Sequence, residues 1–256
     1  MIHPIHIGTV LLEPNRWTAE KQPSFRVSDW LDRFAVAGFD GVELWQNHAL
    51  KADERERRAL AEAALPIPIF NSYASLGEEG RKLRATTVEW VKQIGCRALK
   101  FNVGKDPALV KEELNTAREW GEEMPGVQLL CECHGGTSLE DPETAARVLA
   151  GYPQIGIIVH PFTDSKLPDW LRLFGKRVRH AHSQFVGEDW RRTCLREQPA
   201  LVRDRLSMLT DAKFDGSISI EFTAGVAAPP EDREQLFCAA CDDMNFLREL
   251  EQQVCA

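Results

Sequence analysis

Eight times along this chain a short apolar stretch is followed by a longer amphipathic one, and no low-complexity linker interrupts the series. Such alternation admits few folds, because parallel strands need a helical crossover between them. The strand candidates are "IHIGTVL" (5–11), "GVELW" (41–45), "IPIFNSY" (67–73), "ALKFNV" (98–103), "VQLLCECH" (127–134), "IGIIVHPF" (155–162), "VRHAHSQ" (178–184) and "SISIEFT" (217–223). Helical periodicity covers the segments between them. The first of these begins near Ser24 or Ser28, either a candidate cap, and stops at Gly38, and a later one opens on Asp141-Pro142. A last helix is expected from about Pro230 to about Val254. Eight strand-helix units describe a single (β/α)8 barrel over residues 1–256, with its active site at the carboxyl ends of the strands. An open doubly wound sheet is the competing architecture, but no GxGxxG follows the first strand.

Composition narrows the function classes. With 31 basic against 39 acidic residues the net charge is -8, so no basic stripe is available for a nucleic-acid backbone. No apolar run reaches the roughly 18 residues that span a bilayer. The seven cysteines follow no disulfide framework and no signal-peptide pattern precedes "MIHPIHIGTV", which leads us to expect a soluble chain in a reducing cytoplasm. Cys238 and Cys241 have CxxC spacing, but they lie on a helical pattern with no second pair and read as small core-facing thiols. His3 and His6 read as ordinary strand residues.

Strand parity is more informative, since alternate side chains of a barrel strand face the lumen and the helices. Glu132 and His134 share a face opposite Cys131 and Cys133; His180, His182 and Gln184 lie together, as do Ser219, Glu221 and Thr223. Lys100 and Asn102 oppose Phe101, Glu43 and Trp45 oppose Leu44, and His160 opposes Val159. From the fourth strand onward each polar set falls late in its strand, so the side chains should meet near the barrel mouth.

An ionised carboxylate taken out of water costs several kcal/mol unless it is paired. Glu132 and Glu221 therefore need cations. Lys100 can serve one, and a divalent metal held by Glu132, His160, His182 and Glu221 would serve both. Two carboxylates and two neutral imidazoles balance a 2+ ion, and the mixed nitrogen and oxygen set suits manganese, zinc, cobalt or iron better than magnesium. A lone His or Glu at a strand end is more often one half of an ion pair than a ligand. Four on successive strands, matched in parity, favour the metal.

The stretches "GFDGVELWQNHA", "CECHGGTSLEDPETAARVL", "RHAHSQ" and "ISIEF", in that order, resemble the xylose isomerase-like barrels described as sugar phosphate isomerases and epimerases. The likeness runs over essentially the whole chain. The Glu-x-His-x-x-Thr stretch starting at Glu132, and the "FDGVELW" strand followed by Asn47-His48, are most similar to the branch containing 3-dehydroshikimate dehydratases. The resemblance implies a metal held by Glu132, residue 160, His182 and Glu221, the set that parity also selects. It departs at strand six, where the family has Asp and, three residues on, His; this chain has His160 and Thr163. Either His160 replaces the carboxylate or Asp164 reaches in from the loop, and alternation favours His160. The further Glu that sugar epimerases of the family carry six residues after the strand-five ligand is Ser138 here, which weighs against a specific ketose epimerase activity.

These readings lead us to expect a metal-dependent isomerase or epimerase of a small sugar or keto-polyol. Glu132 and Glu221 would exchange protons beside a carbonyl, and Lys100 would steady the oxyanion. Glu43, Trp45, His48, Tyr73, His134, His180 and Gln184 are expected to line the substrate pocket. The competing readings are a dehydratase or lyase on the same site and a metal-free binding protein; a multi-metal endonuclease is disfavoured by charge and histidine count. No phosphate-binding glycine loop follows strands seven or eight, and Trp190 is a candidate for a subunit contact of a homo-oligomer or for a lid.

Overall fold

A computed structural model describes residues 3–187 and 191–254, which leaves Trp190 outside the described residues. Its eight strands are β1 (Ile5–Gly8), β2 (Gly41–Trp45), β3 (Ile69–Asn71), β4 (Ala98–Phe101), β5 (Gln128–Glu132), β6 (Gly156–Val159), β7 (Val178–Ser183) and β8 (Ser217–Ile220). They pair in parallel in chain order, and β8 returns to β1 to close the barrel. β1 is shorter than its apolar run: the chain leaves the sheet at Gly8 and turns through a 3-10 segment over Thr9–Leu12.

The helices are α1 (Leu31–Ala37), α2 (Gln46–Leu50), α3 (Glu54–Ala61), α4 (Arg81–Ile94), α5 (Val110–Glu122), α6 (Pro142–Leu149), α7 (Leu167–Phe174), α8 (Pro199–Asp211) and α9 (Arg233–Val254). α1 stops where Gly38 turns left-handed, at φ 100°. Its expected serine cap is absent: the backbone N–H and hydroxyl of Ser28 both donate to Glu56 of α3, and the N-cap of α1 is Trp30, which makes no side-chain cap bond. Asp141 does cap α6, accepting from the Thr144 N–H at 3.0 Å with Pro142 in the first turn. α2, directly after β2, is a short helix that the periodicity did not foreshadow. On α9 Cys238 is exposed and Cys241 half-buried, so only the second thiol packs on the core. Among the described residues no helix is long and apolar enough to cross a membrane.

Outward strand residues such as Val42, Leu44, Leu99, Phe101, Leu129, Ile157, Ile218 and Ile220 are buried against the helices, which contribute Phe34, Trp90, Trp120 and Trp170. Each large side chain removed from water in this ring contributes about 1.5–3 kcal/mol. The lumen is different. Barrel interiors are usually layered with Val, Ile and Leu, yet here His6, Glu43, Asn71, Lys100, Glu132, His180, His182 and Ser219 are all buried. Between β6 and β7 the register slips at Ile157/Ile158, so that Val178 faces Ile157 while His180 faces Ile158. That bulge re-aims β7. Beyond it His182 pairs with Ser219, toward the carboxyl end.

Candidate active site

Each of β5 to β8 brings one residue to the barrel mouth. Glu132 ends β5, His160 follows β6, His182 lies late in β7, and Glu221 follows β8. Parity put all four on the lumen side, and they converge: one ligand atom of each lies within 4.8 Å of the others. Glu132 Oε1 is 3.0 Å from His182 Nδ1 and 3.2 Å from His160 Nε2. Glu221 closes the ring, with Oε1 3.5 Å from His182 Nδ1 and Oε2 3.7 Å from His160 Nε2. Asp164 is not in the cluster. Its carboxylate accepts from the Lys166 N–H and from Trp170 Nε1, each at 2.8 Å. The strand-six position of the cluster is thus filled by His160.

Lys100, fully buried on β4, reaches Glu132 Oε2 at 2.8 Å and Asn102 Oδ1 at 2.6 Å, and Asn102 Nδ2 donates to the same carboxylate oxygen at 3.0 Å. Gln184 Nε2 donates to Glu221 Oε2 at 3.1 Å. Above this ring opens a cavity of about 600 Å³ lined by Glu132, His134, His160, Gln184, Glu221 and Tyr73, among others. Tyr73 lays its ring 3.8 Å from Lys100 Nζ. His134 lies just beyond the end of β5, where Nδ1 meets the Gly135 carbonyl at 2.7 Å and Nε2 lies 3.9 Å from Glu132 Oε2.

Four of the expected pocket residues are not at the cavity. Glu43 and His180 are 1% and 0% exposed and sit within the lumen. Glu43 Oε1 accepts from His182 Nε2 at 3.1 Å and from Asn71 Nδ2 at 2.6 Å, and Oε2 accepts from His180 Nε2 at 3.1 Å. Trp45 is buried edge-on against His48, and His48 is held between Thr9 Oγ1 and Glu13 Oε1, both at 2.9 Å. Parity sorts side chains by face and says nothing of their height along the axis. Conversely Trp17, Thr163, Lys166 and Phe222 line the cavity from loops. Phe222 has the wrong parity, but it stands two residues past the end of β8 at Ile220, where alternation no longer holds. Trp17 carried a signal, an indole in a polar stretch, and is 56% exposed at the mouth.

The electrostatics define what the site lacks. Burial alone would drive the carboxyl of Glu132 up, but Lys100, His160 and His182 hold it well below the usual carboxylate range. Burial would likewise lower His160, yet hydrogen bonds and charge from Glu132 and Glu221 outweigh it and raise its pKa to about 9. His182 is raised for the same reason, chiefly by Glu43 and Glu221. Of the three carboxylates, Glu132 pairs with the ammonium of Lys100, whereas Glu43 faces the imidazoles of His180 and His182 and Glu221 those of His160 and His182. Without another cation the imidazoles must take up protons to fill the deficit. A divalent ion would supply that charge through four donors already in place, so the residues fit a metal. Glu43, His180 and His182 also lie close enough to form a second ligand group. Their facing atoms are already engaged in hydrogen bonds with one another and are fully buried, which suits support rather than a separate ion.

The resemblance to solved structures is one of fold. The chain aligns with the apo 3-keto-D-glucoside 4-epimerase YcjR of E. coli at 15% identity and TM-score 0.69, over 97% of this chain and 100% of that one. It aligns with the probable 3-DHS dehydratase AsbF of Bacillus anthracis at 14% identity and TM-score 0.68, over 96% and 98%. An IOLI protein with a bound zinc atom gives 14% identity and TM-score 0.72, over 98% and 99%. A xylose isomerase-like TIM barrel/4-hydroxyphenylpyruvate dioxygenase fusion matches at 16% identity and TM-score 0.73 over 99% of this chain, which spans 43% of that longer protein. No protein-family model and no curated protein matches the sequence. The chain thus shares the closed (β/α)8 barrel fold of these solved structures, and at its mouth carries a cluster of Glu and His that could hold a metal.

The His160 substitution has a consequence for metal choice. Replacing it by Asp adds an oxygen donor and a negative charge, and should move preference from zinc toward magnesium and manganese. Competition titrations of His160→Asp with the two kinds of metal will show a smaller zinc-to-magnesium affinity ratio than wild type; an unchanged ratio would place residue 160 outside the coordination shell.

Proposed function

We propose that this protein is a divalent-metal-dependent isomerase or epimerase of a small sugar or keto-polyol. The observation that carries this reading is the pair of buried carboxylates, Glu132 and Glu221, opposed across two imidazoles on the floor of one cavity. Glu132, His160, His182 and Glu221 would hold the ion; zinc, manganese, cobalt and iron fit the donor set better than magnesium. When bound, such an ion polarises a carbonyl and stabilises the negative charge that develops beside it.

The chain supplies the rest. Glu132 and Glu221 would take a proton from the carbon next to the carbonyl and return one to the opposite face or the neighbouring carbon. Lys100 keeps Glu132 ionised and brings a positive charge close to where an oxyanion would form. Gln184 fixes Glu221, and Tyr73, His134, Trp17 and Phe222 shape the cavity around the substrate. The same proton abstraction followed by loss of a β-oxygen gives a dehydratase or lyase, a second reading supported by the likeness to the AsbF fold.

Elemental assay of protein purified without chelator tests the core of the proposal. About one transition metal per chain is expected, lost in His182→Ala, and the loaded protein should incorporate solvent deuterium into a ketose or keto-sugar substrate. Appearance of an ultraviolet-absorbing conjugated carbonyl would select elimination. A chain that neither contains nor takes up manganese or zinc is a binding protein on a barrel scaffold.

A further inference from the structure

Resting on the metal reading above, we propose that Glu43, set by His180, is a positioning residue that fixes how His182 presents itself to the ion and how tightly the ion is held. Neither residue reaches the cavity, so neither can act on substrate directly. Their contacts run the other way. His182 turns Nδ1 toward Glu132 and Glu221 and Nε2 toward Glu43. With Nε2–H donating to Glu43, the lone pair of Nδ1 is left free at the ligand cluster, which is the tautomer a metal needs.

Glu43 is itself held by three donors. Asn71 Nδ2 and His182 Nε2 share Oε1, and His180 Nε2 takes Oε2; Ser217 Oγ then satisfies His180 Nδ1 at 2.9 Å. The residues come from β2, β3, β7 and β8, so the carboxylate is anchored to opposite walls of the barrel. An apolar layer at this height would stabilise the barrel at least as well, since burying an ion costs more than it returns unless its partners are complete. What the carboxylate adds is electron density on His182, a stronger ligand, and a ring that cannot rotate.

Two variants separate charge from geometry. In Glu43→Gln the carbonyl can still accept from His182 while the amide N–H₂ faces His180, whose tautomer can reverse because Ser217 Oγ also accepts. The hydrogen bond survives and the charge is lost. Glu43→Leu removes both. Zinc affinity would be measured by competition with a chromogenic chelator, with the thermal midpoint of each metal-free variant as the folding control. Zinc should bind about 10-fold more weakly to Glu43→Gln and about 100-fold more weakly to Glu43→Leu. A purely structural role would spare the isosteric glutamine. Affinities within twofold of wild type in Glu43→Gln would overturn the proposal, and this variant carries the test alone if Glu43→Leu does not fold. A wild-type chain that takes up no zinc overturns the metal reading itself, an outcome distinct from equal binding by wild type and variant.

Discussion

Glu132→Gln is expected to lose its metal and to lower solvent-deuterium exchange into substrate by about 10²–10⁴-fold, the usual worth of a positioned acid-base group. Both effects follow from one side chain. Glu132 Oε1 faces both imidazoles of the cluster, so an uncharged amide withdraws a ligand and half of the carboxylate charge at the mouth. Its other oxygen neutralises Lys100, which is fully buried and, among the described residues, otherwise has only the Asn102 amide oxygen as a hydrogen-bond acceptor. Leaving that ammonium unpaired costs about 3–5 kcal/mol when no other carboxylate replaces it. Metal content, exchange rate and urea midpoint should therefore fall together. A variant that keeps a full equivalent of metal and exchanges normally would remove Glu132 from the site.

The second large effect is on stability as a function of pH, and it differs between the metal-free and loaded protein. In the metal-free chain His160 has its pKa raised to about 9, against an unfolded value near 6.5. A raised histidine contributes stability that is fully present below about 6.5 and is lost as pH climbs through about 9. That difference amounts to roughly 3 kcal/mol for His160, and His182 is shifted in the same direction. Chelator-treated protein should therefore lose stability steadily between pH 6.5 and 9. With metal bound the imidazoles are neutral ligands throughout, so the loaded protein should show a nearly flat profile over the same range and release protons on loading. Urea unfolding at pH 6, 7.5 and 9, with and without metal, checks this; identical slopes would mean that these histidines do not share their charge deficit with an ion.

How much of the site could be read in advance varies with where each residue stands in its strand. Glu132, His182 and Lys100 lie within strands, and His160 and Glu221 one residue beyond, where alternation still holds. Their lumen-facing assignment follows from period two alone. Glu43 and His180 obey the same rule and were placed on the correct face, yet they fill a lower layer and support His182 instead of touching the cavity. Trp45 and His48 were misplaced for another reason: the chain turns into α2 at Gln46, which packs His48 against Thr9 and Glu13 of the loop after β1. Phe222, Trp17 and Lys166 escaped because loop residues have no period to read.

The sequence by itself therefore determined the number of strand-helix units, the closed parallel barrel, and the face on which each strand side chain lies, those of Glu132 and His182 among them. These depend on the local geometry of strands and helices, which a hydrophobic pattern encodes directly. Only the tertiary structure decided that His160 and not Asp164 completes the cluster, that Glu43 braces His182 from below, and which loops roof the cavity. Height along the barrel axis depends on the stagger between strands, including the slip between β6 and β7, and loop paths depend on contacts between segments far apart in the chain. No local periodicity carries either.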